Sequence, residues 1–508
     1  MREVGFGFPQ INLFTIDPVK RWEVMMKKNN NIKNMKRTLY LALILTMSVG
    51  VSSAQPELST KIIDTMQTTC YNDNEEVSCP ELNNAYFGQD AQYSGSQFSF
   101  IDNEDGTVTD TNTELMWQQD HGTKMTYEDA IVFLESFELA DYADWRFPTI
   151  KELYSLITFN GVDPSGYDSN DTSFLTPFID TLYFPFEYGN TDNDERIIDA
   201  QYWSGTEYVS ETMNGDATVF GVNFADGRIK GYPAEPIGPP GMEFSMTSFV
   251  KFVRGTENYD TNEFIDNDDT ISDLSSELMW MSVDSGHLST GENENGELNW
   301  EQALQWAEDL EYAGYIDWRL PNAKELQSIV DYTRSPATSG SAAIDPVFEV
   351  SEIIDEGGHI NYPFYWTSTT HKSWNSAHEG ASAVYVAFGD ALGFMEMPPF
   401  SGNYQLLDVH GAGSQRSDPK SGNPEDYPYG HGPQGDVIRI YNYVRCVRDI
   451  SGTQIDGDVN GDNSLDVLDL VQVIGFILGE IEFTPDQQEI ADANNDTDID
   501  VLDIVILV

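Results

Sequence analysis

The stretch Trp145-Arg146-Phe147-Pro148-Thr149-Ile150-Lys151-Glu152-Leu153 returns later in the chain as Trp318-Arg319-Leu320-Pro321-Asn322-Ala323-Lys324-Glu325-Leu326. In both places a proline stops the incoming chain, and Thr149 with Glu152, or Asn322 with Glu325, makes a capping box that starts a helix. Working outward, further blocks recur in the same order. Phe100-Ile101-Asp102-Asn103 answers Phe264-Ile265-Asp266-Asn267, and Glu114-Leu115-Met116-Trp117 answers Glu277-Leu278-Met279-Trp280. Tyr202-Trp203-Ser204 returns as Tyr365-Trp366-Thr367, and Phe224-Ala225-Asp226-Gly227 as Phe388-Gly389-Asp390-Ala391. The last block is Val250-Lys251-Phe252-Val253-Arg254, matched by Val444-Arg445-Cys446-Val447-Arg448. Such self-similarity defines two homologous domains, 93–255 and 264–449.

Each copy carries the same local signals. Asp105-Gly106 between Phe98–Asp102 and Thr107–Asp110 reads as a hairpin, with Asp268-Asp269 at the matching turn. Thr126 with Asp129, and Asn299 with Gln302, start amphipathic helices running to about Phe137 and Leu310. Val219–Phe224 and Ala383–Phe388 are β-branched and aromatic, hence strands. The expected class is α+β, with two helices against an antiparallel sheet in each copy. The six repeated tryptophans, Trp117, Trp145, Trp203, Trp280, Trp318 and Trp366, read as core rather than as sugar platforms. Arg146, Arg319, Glu152 and Glu325 read as capping or ion-pair partners.

The chain has 508 residues, with 26 Lys plus Arg against 85 Asp plus Glu, a formal net charge of −59. That balance argues against nucleic acid and for divalent cations as partners. Lys27, Lys28, Lys33, Lys36 and Arg37 precede an apolar run from Leu39 to Val51 that ends in Ser52-Ser53-Ala54. This is the order of a secretory signal, too short to span a bilayer, with cleavage expected after Ala54 and Met35 as a plausible true start. Residues 1–54 are thus extension and signal, and the mature chain keeps 18 basic and 82 acidic residues, a net charge of −64, with no integral membrane segment. In an exported chain Cys70 and Cys79 suit a local disulfide within the 55–92 segment, while Cys446 has no partner near it in sequence.

The ordered blocks resemble the Lcl C-terminal domain family, named for the terminal domain of a bacterial collagen-like adhesin, over roughly 93–255 and 264–449. The resemblance implies a C-type-lectin-like fold for each copy and an extracellular adhesive or glycan-binding role. Family members often pair a Cys in the first helix with one in the last strand. Here Phe133 and Trp306 stand at the helix position and Phe252 and Cys446 at the strand position, which makes Cys446 a buried, unpaired remnant. The copies differ most after the Tyr-Trp block: Trp203 to Arg254 spans 51 positions and Trp366 to Arg448 spans 82. The excess lies mainly in Gly402–Gly435, rich in Gly, Ser and Pro and holding His410, Arg416, Lys420 and His431. A functional loop and a floppy insertion both fit that stretch.

At the C-terminus Asp458, Asn460, Asp462, Ser464, Asp466 and Asp469 occupy positions 1, 3, 5, 7, 9 and 12 of a calcium loop. Asp492, Asn494, Asp496, Asp498, Asp500 and Asp503 repeat it 34 residues later. Calcium takes six to eight hard oxygen ligands, and alternate residues of a tight loop point such oxygens inward. Leu465 and Ile499 at position 8 read as apolar plugs. Asn463 and Thr497 replace the usual Gly at position 6, and Asp replaces Glu at position 12, which lowers the expected affinity. Paired loops, each followed by a helix, resemble a type I dockerin over 456–508, a small all-α tail. The resemblance implies Ca2+ as cofactor and a cohesin-type module as partner. The first helix should run from Val467 to Leu478 and stop at Gly479, and the last is brief, since five residues follow Asp503.

The reading that joins these parts is a secreted, non-enzymatic protein whose two domains recognise an extracellular glycan or surface while the tail tethers it to a cohesin or to the bacterial cell surface. The alternative is a polysaccharide-degrading hydrolase or an accessory of a polysaccharide-catabolic complex, because dockerins commonly append catalytic modules. A structural matrix protein is a third reading. No Gly-x-Ser-x-Gly, P-loop or His-Glu-x-x-His is present, so no catalytic residue is assigned.

Overall fold

The computed structural model describes residues 62–450 except 214, 239–242, 257, 258, 260, 292 and 399, and in the tail 459, 465, 467–479, 481, 483, 485–493 and 499–507. The expected signal segment lies outside the described residues. The class is α+β with strands dominating.

The duplicated motif folds as its residues dictate. Thr149 Oγ1 accepts from Glu152 N, and the Glu152 carboxylate accepts from Thr149 N at 2.8 Å, starting the helix Ile150–Ser155. Asn322 and Glu325 repeat this at the helix Ala323–Ser328. Thr126 and Asn299 cap the upstream helices Tyr127–Leu134 and Trp300–Glu308. Both end before the expected Phe137 and Leu310, because Phe137 N bonds to Leu134 O and Leu310 N to Ala307 O, tightening the last turn.

The N-terminal segment opens with a hairpin, β1 (Cys70–Tyr71) and β2 (Glu76–Val77), closed by the Cys70–Cys79 disulfide. In the first copy β3 (Phe100–Asp102), β4 (Thr107–Asp110) and β5 (Leu115–Gln118) form a meander. Three longer strands follow, β6 (Gln201–Thr212), β7 (Asp216–Asn223) and β8 (Arg228–Pro233), and then the short β9 (Phe249–Val250). The final β10 (Val253–Arg254) returns to β5, so the ends of the copy are hydrogen-bonded together.

The second copy repeats this with β11 (Phe264–Asp266), β12 (Thr270–Asp273) and β13 (Leu278–Met281). A small hairpin, β14 (Ile353–Ile354) and β15 (Ile360–Asn361), precedes β16 (Phe364–His371) and β17 (Ser382–Ala387). Then come β18 (Leu392–Glu396), β19 (Tyr404–Asp408), β20 (Gln415–Pro419) and the closing β21 (Val447–Asp449), which pairs with β13.

The two copies do not keep separate central sheets. One seven-stranded sheet runs β16-β17-β20-β8-β7-β6-β9, with β20 of the second copy beside β8 of the first. All its pairings are antiparallel except β6 with β9. The Gly402–Gly435 stretch, read as a loop or insertion, therefore supplies the strand that joins the copies. Lys420, one of its basic residues, is buried 3.7 Å over the Trp300 ring and bonds Asn72 O and Thr370 Oγ1. Its Gly and Ser content hid a strand whose pairing partners lie far off in sequence.

A second junction explains the lysine of the repeated motif. Lys151 Nζ donates to Ser328 O at 2.8 Å, and Lys324 Nζ donates to Ser155 O at 2.9 Å. Each lysine thus satisfies a carbonyl at the C-terminal end of the other copy's helix, where unpaired carbonyls and the helix dipole favour a cation. Leu153, Tyr154, Leu326 and Ile329 from both helices share one apolar core.

Candidate calcium loops and a cleft beside the second copy

The charged and aromatic residues of the repeated blocks are spent on the fold. All six tryptophans are buried, Trp145 the most exposed at 6%. Arg146 makes two 2.6 Å bonds to Glu152, and Arg319 makes bonds of 2.7 and 2.8 Å to Glu325 and a third to Asp449. The glutamate of the motif is cap and ion-pair partner at once. Arg254 and Arg448 of the closing strands grip Asp144 and Asp317, the residues just before the motif tryptophans, and lie 3.7 and 4.0 Å over the rings of Tyr142 and Tyr315. Lys251 and Arg445, also repeated, are buried and bond backbone carbonyls. Cys446 is a free, buried thiol, and in the first copy the Phe133 and Phe252 rings stack at 6.1 Å.

Of the twelve expected calcium ligands, Asp469, Asp492, Asp500 and Asp503 are described; Asp458, Asn460, Asp462, Ser464, Asp466, Asn494, Asp496 and Asp498 lie outside the described residues. The two position-12 residues, Asp469 and Asp503, sit in the first turns of the helices Val467–Ile477 and Val501–Leu507, and both are fully buried. Asp503 Oδ2 accepts from Asp500 N at 2.7 Å, across the start of the second helix. Carboxylate oxygens held at helix starts are hard donors of the kind that calcium takes. The donor set by sequence, oxygens of Asp, Asn and Ser464 with no nitrogen or sulfur, fits calcium. Leu465, read as a plug, is 37% exposed. Gly479 takes φ +68° just beyond the first helix, as its stop position requires. A helix at Pro485–Ala491, which the sequence reading lacked, lies between the loops, and Gln487 Nε2 bonds Val459 O at 2.7 Å.

A cleft of about 400 Å³ opens between the N-terminal segment and the second copy, lined in part by Asp64, Asp90, Arg319, Glu325, Ser368 and Asp449. Asp90 accepts from the hydroxyls of Thr65 and Thr369 at 2.8 and 2.5 Å. Burial pushes its carboxyl up to about 7 against the pull of those hydroxyls. Arg319 and Glu325 of the repeated motif form one wall, but the other, residues 62–92, lies before the repeat, and no motif marked it.

One further constellation has the composition of a nucleophilic triad. Ser351 Oγ donates to Asp284 Oδ1 at 2.6 Å and lies 3.1 Å from His287 Nδ1, which is itself 3.0 Å from Asp284 Oδ1. A working triad presents different imidazole nitrogens to the serine and the carboxylate. Here one nitrogen faces both. Burial alone would raise the Asp284 carboxyl, but His287, Arg445 and Ser351 outweigh it and hold it well below the carboxylate range. The cluster is a bracing network, joined by the Tyr365 hydroxyl at 2.6 Å.

A duplicated α+β scaffold followed by paired acidic loops and short helices is the plan of a modular protein that carries its own docking tail. The chain belongs to the Lcl C-terminal domain family, whose model matches residues 106–238 and 269–407, and its residues 456–508 match the Dockerin type I domain. No curated protein and no solved structure matches it. Type I dockerins bind calcium, so Ca2+ is the cofactor, and the domain implies a cohesin-type partner in an extracellular or cell-surface setting. Among the described residues no helix is long and apolar enough to cross a membrane.

Proposed function

We propose that this is a secreted, non-enzymatic adhesive or carbohydrate-binding protein, its two copies acting as C-type-lectin-like domains and its tail tethering it to a cohesin or cell surface. The observation that carries the tether is the dockerin match over a segment whose Asp469 and Asp503 are buried at helix starts. Calcium would be held by Asp458, Asn460, Asp462, Ser464, Asp466 and Asp469 in one loop. Asp492, Asn494, Asp496, Asp498, Asp500 and Asp503 would hold it in the other. A surface carrying the mature net charge of −64 repels sulfated polysaccharides, which favours a neutral or calcium-bridged glycan.

The alternative, a polysaccharide hydrolase or an accessory of a catabolic complex, draws on the cleft. Asp90, with its carboxyl raised to about 7, has the property of a general acid, and other carboxylates line the same walls. The tether is tested by capture of the mature chain on immobilised type I cohesins, with calcium and with chelator. Calcium-dependent capture by at least one cohesin is expected, and capture by none across a broad panel would remove the tether from the reading.

A further inference from the structure

The copies part ways immediately after their second long strand. In the first, β8 folds straight back onto β7. In the second, β18 leaves the sheet and pairs with β19 as a hairpin whose base is anchored by Phe394 N to Gly435 O and by Met213 N to Asp408 O, while β20 takes the place beside β17. The sheet is complete without this hairpin, whose base packs on the fold and whose tip stands outside it.

At the tip and its edge the exposed side chains are aromatic. Phe400, at the tip, is 97% exposed and takes φ +64°. A bulky residue in the left-handed region is disfavoured, so strain is retained here to present a ring that the described core does not use. Tyr404, where the hairpin closes, stacks on Tyr429 with centroids 4.0 Å apart and planes 18° from parallel, and Phe394 meets Tyr429 edge-on at 6.2 Å. The two tyrosines remain 40% and 53% exposed, so the stack is braced from within and open outward.

We propose that this hairpin, with Tyr429, is a stacking platform for a neutral polysaccharide. The proposal rests on the carbohydrate-binding reading above and names its site and substrate class. The weakly polarised C–H face of a pyranose ring packs against the electron-rich face of an aromatic ring. The tyrosine hydroxyls and the exposed amides of Asn403 and Gln405 can meet the sugar hydroxyls at the rim. Residues 392–408 contain no Lys, Arg or His but do contain Glu396, while Asp408 is turned inward to the Tyr208 hydroxyl. A sulfated or uronic-acid polymer, or an anionic bilayer, would meet no cation within this hairpin. Rings with polar rims suit a surface of alternating C–H faces and hydroxyls.

The test compares the mature full chain with Phe400→Ala, Phe400→Trp and Tyr429→Ala on microcrystalline cellulose, insoluble xylan, insoluble β-1,3-glucan and starch granules. Dextran sulfate beads and phosphatidylserine vesicles run alongside. Phe400 is almost wholly exposed, so its replacement leaves the melting midpoint unchanged and any loss reports binding. The expected result is retention of the parent on a neutral polymer, at least a tenfold loss in Phe400→Ala and Tyr429→Ala, and recovery in Phe400→Trp. Equal retention of parent and both alanine variants overturns the platform and leaves the glycan reading standing. Retention of the parent on none of the neutral polymers overturns both. Hairpin-dependent retention on the vesicles or the sulfated beads instead overturns the neutral-sugar assignment.

Discussion

Replacing Lys324 by Met makes the cross-copy junction measurable. Lys324 is fully enclosed, donates to Asp64 O and Ser155 O at 2.9 Å each, and lies 4.7 Å from the Phe98 ring. Burial pushes its pKa from 10.5 down to about 7, although Asp64, Asp110 and Asp90 pull the other way. Between about pH 7 and 10.5 the unfolded chain therefore binds a proton that the folded chain does not, and stability rises with pH across that window. Below it both states are charged and the burial cost is present in full. At about 1.4 kcal/mol per pH unit, the step from pH 7 to pH 9.5 favours the parent by about 3 kcal/mol, and the Met variant has no such term. The two carbonyls left without a donor add an offset that does not vary with pH and cancels in the comparison. Urea midpoints of parent and Lys324→Met at about pH 6.5 and pH 9.5 read the difference directly. Parallel shifts, with the gap constant to within about 1 kcal/mol, would mean that Lys324 titrates as it does in water and that its enclosure between the copies is misread.

Three other outcomes follow from the same contacts. Glu325→Ala leaves Arg319 buried without its two-bond partner and Asn322 N without its cap, and should cost about 3–5 kcal/mol; Glu152→Ala should cost less, since Arg146 keeps 21% side-chain exposure against 9% for Arg319. Equal losses in thermal unfolding would contradict that ranking. Cys70→Ser opens a loop of sequence separation 9 and should lower stability by about 2.5 kcal/mol by the loop-entropy relation, while thiol labelling of the parent reaches Cys446 only after denaturation. Calcium titration by calorimetry should give two sites in the parent, one in Asp469→Ala or Asp503→Ala and none in the double variant; unchanged stoichiometry would move the metal away from these loops.

What was legible in the sequence was local or repeated. The Trp-Arg-x-Pro block announced its helix because cap, proline and glutamate lie within a few residues, and the buried tryptophans followed from their recurrence in strand and helix-edge blocks. Cys70 and Cys79 were close enough to pair on spacing alone. The joining strand β20 was not legible: its Gly- and Ser-rich surroundings look like a loop, and its partners Ser382–Val386 and Ile229 are supplied by distant parts of the chain. The motif lysines were equally opaque, since a cap on the other copy's helix exists only once the copies face each other. The cleft around Asp90 is built partly from the segment before the repeat, where no pattern marked it. At the tail the dockerin resemblance was plain from the 34-residue repeat of acidic loops, whereas the helix Pro485–Ala491 lies between them and left no signal in their repeat.

The division between adhesive and hydrolase is decided by one experiment on the purified mature chain: retention on a panel of insoluble polysaccharides, with calcium and with chelator, while reducing ends are counted in the same tubes. Retention on a neutral polymer without new reducing ends is the expected result. Release of reducing ends, abolished in Asp90→Asn, would contradict the non-enzymatic reading and place catalysis in the cleft.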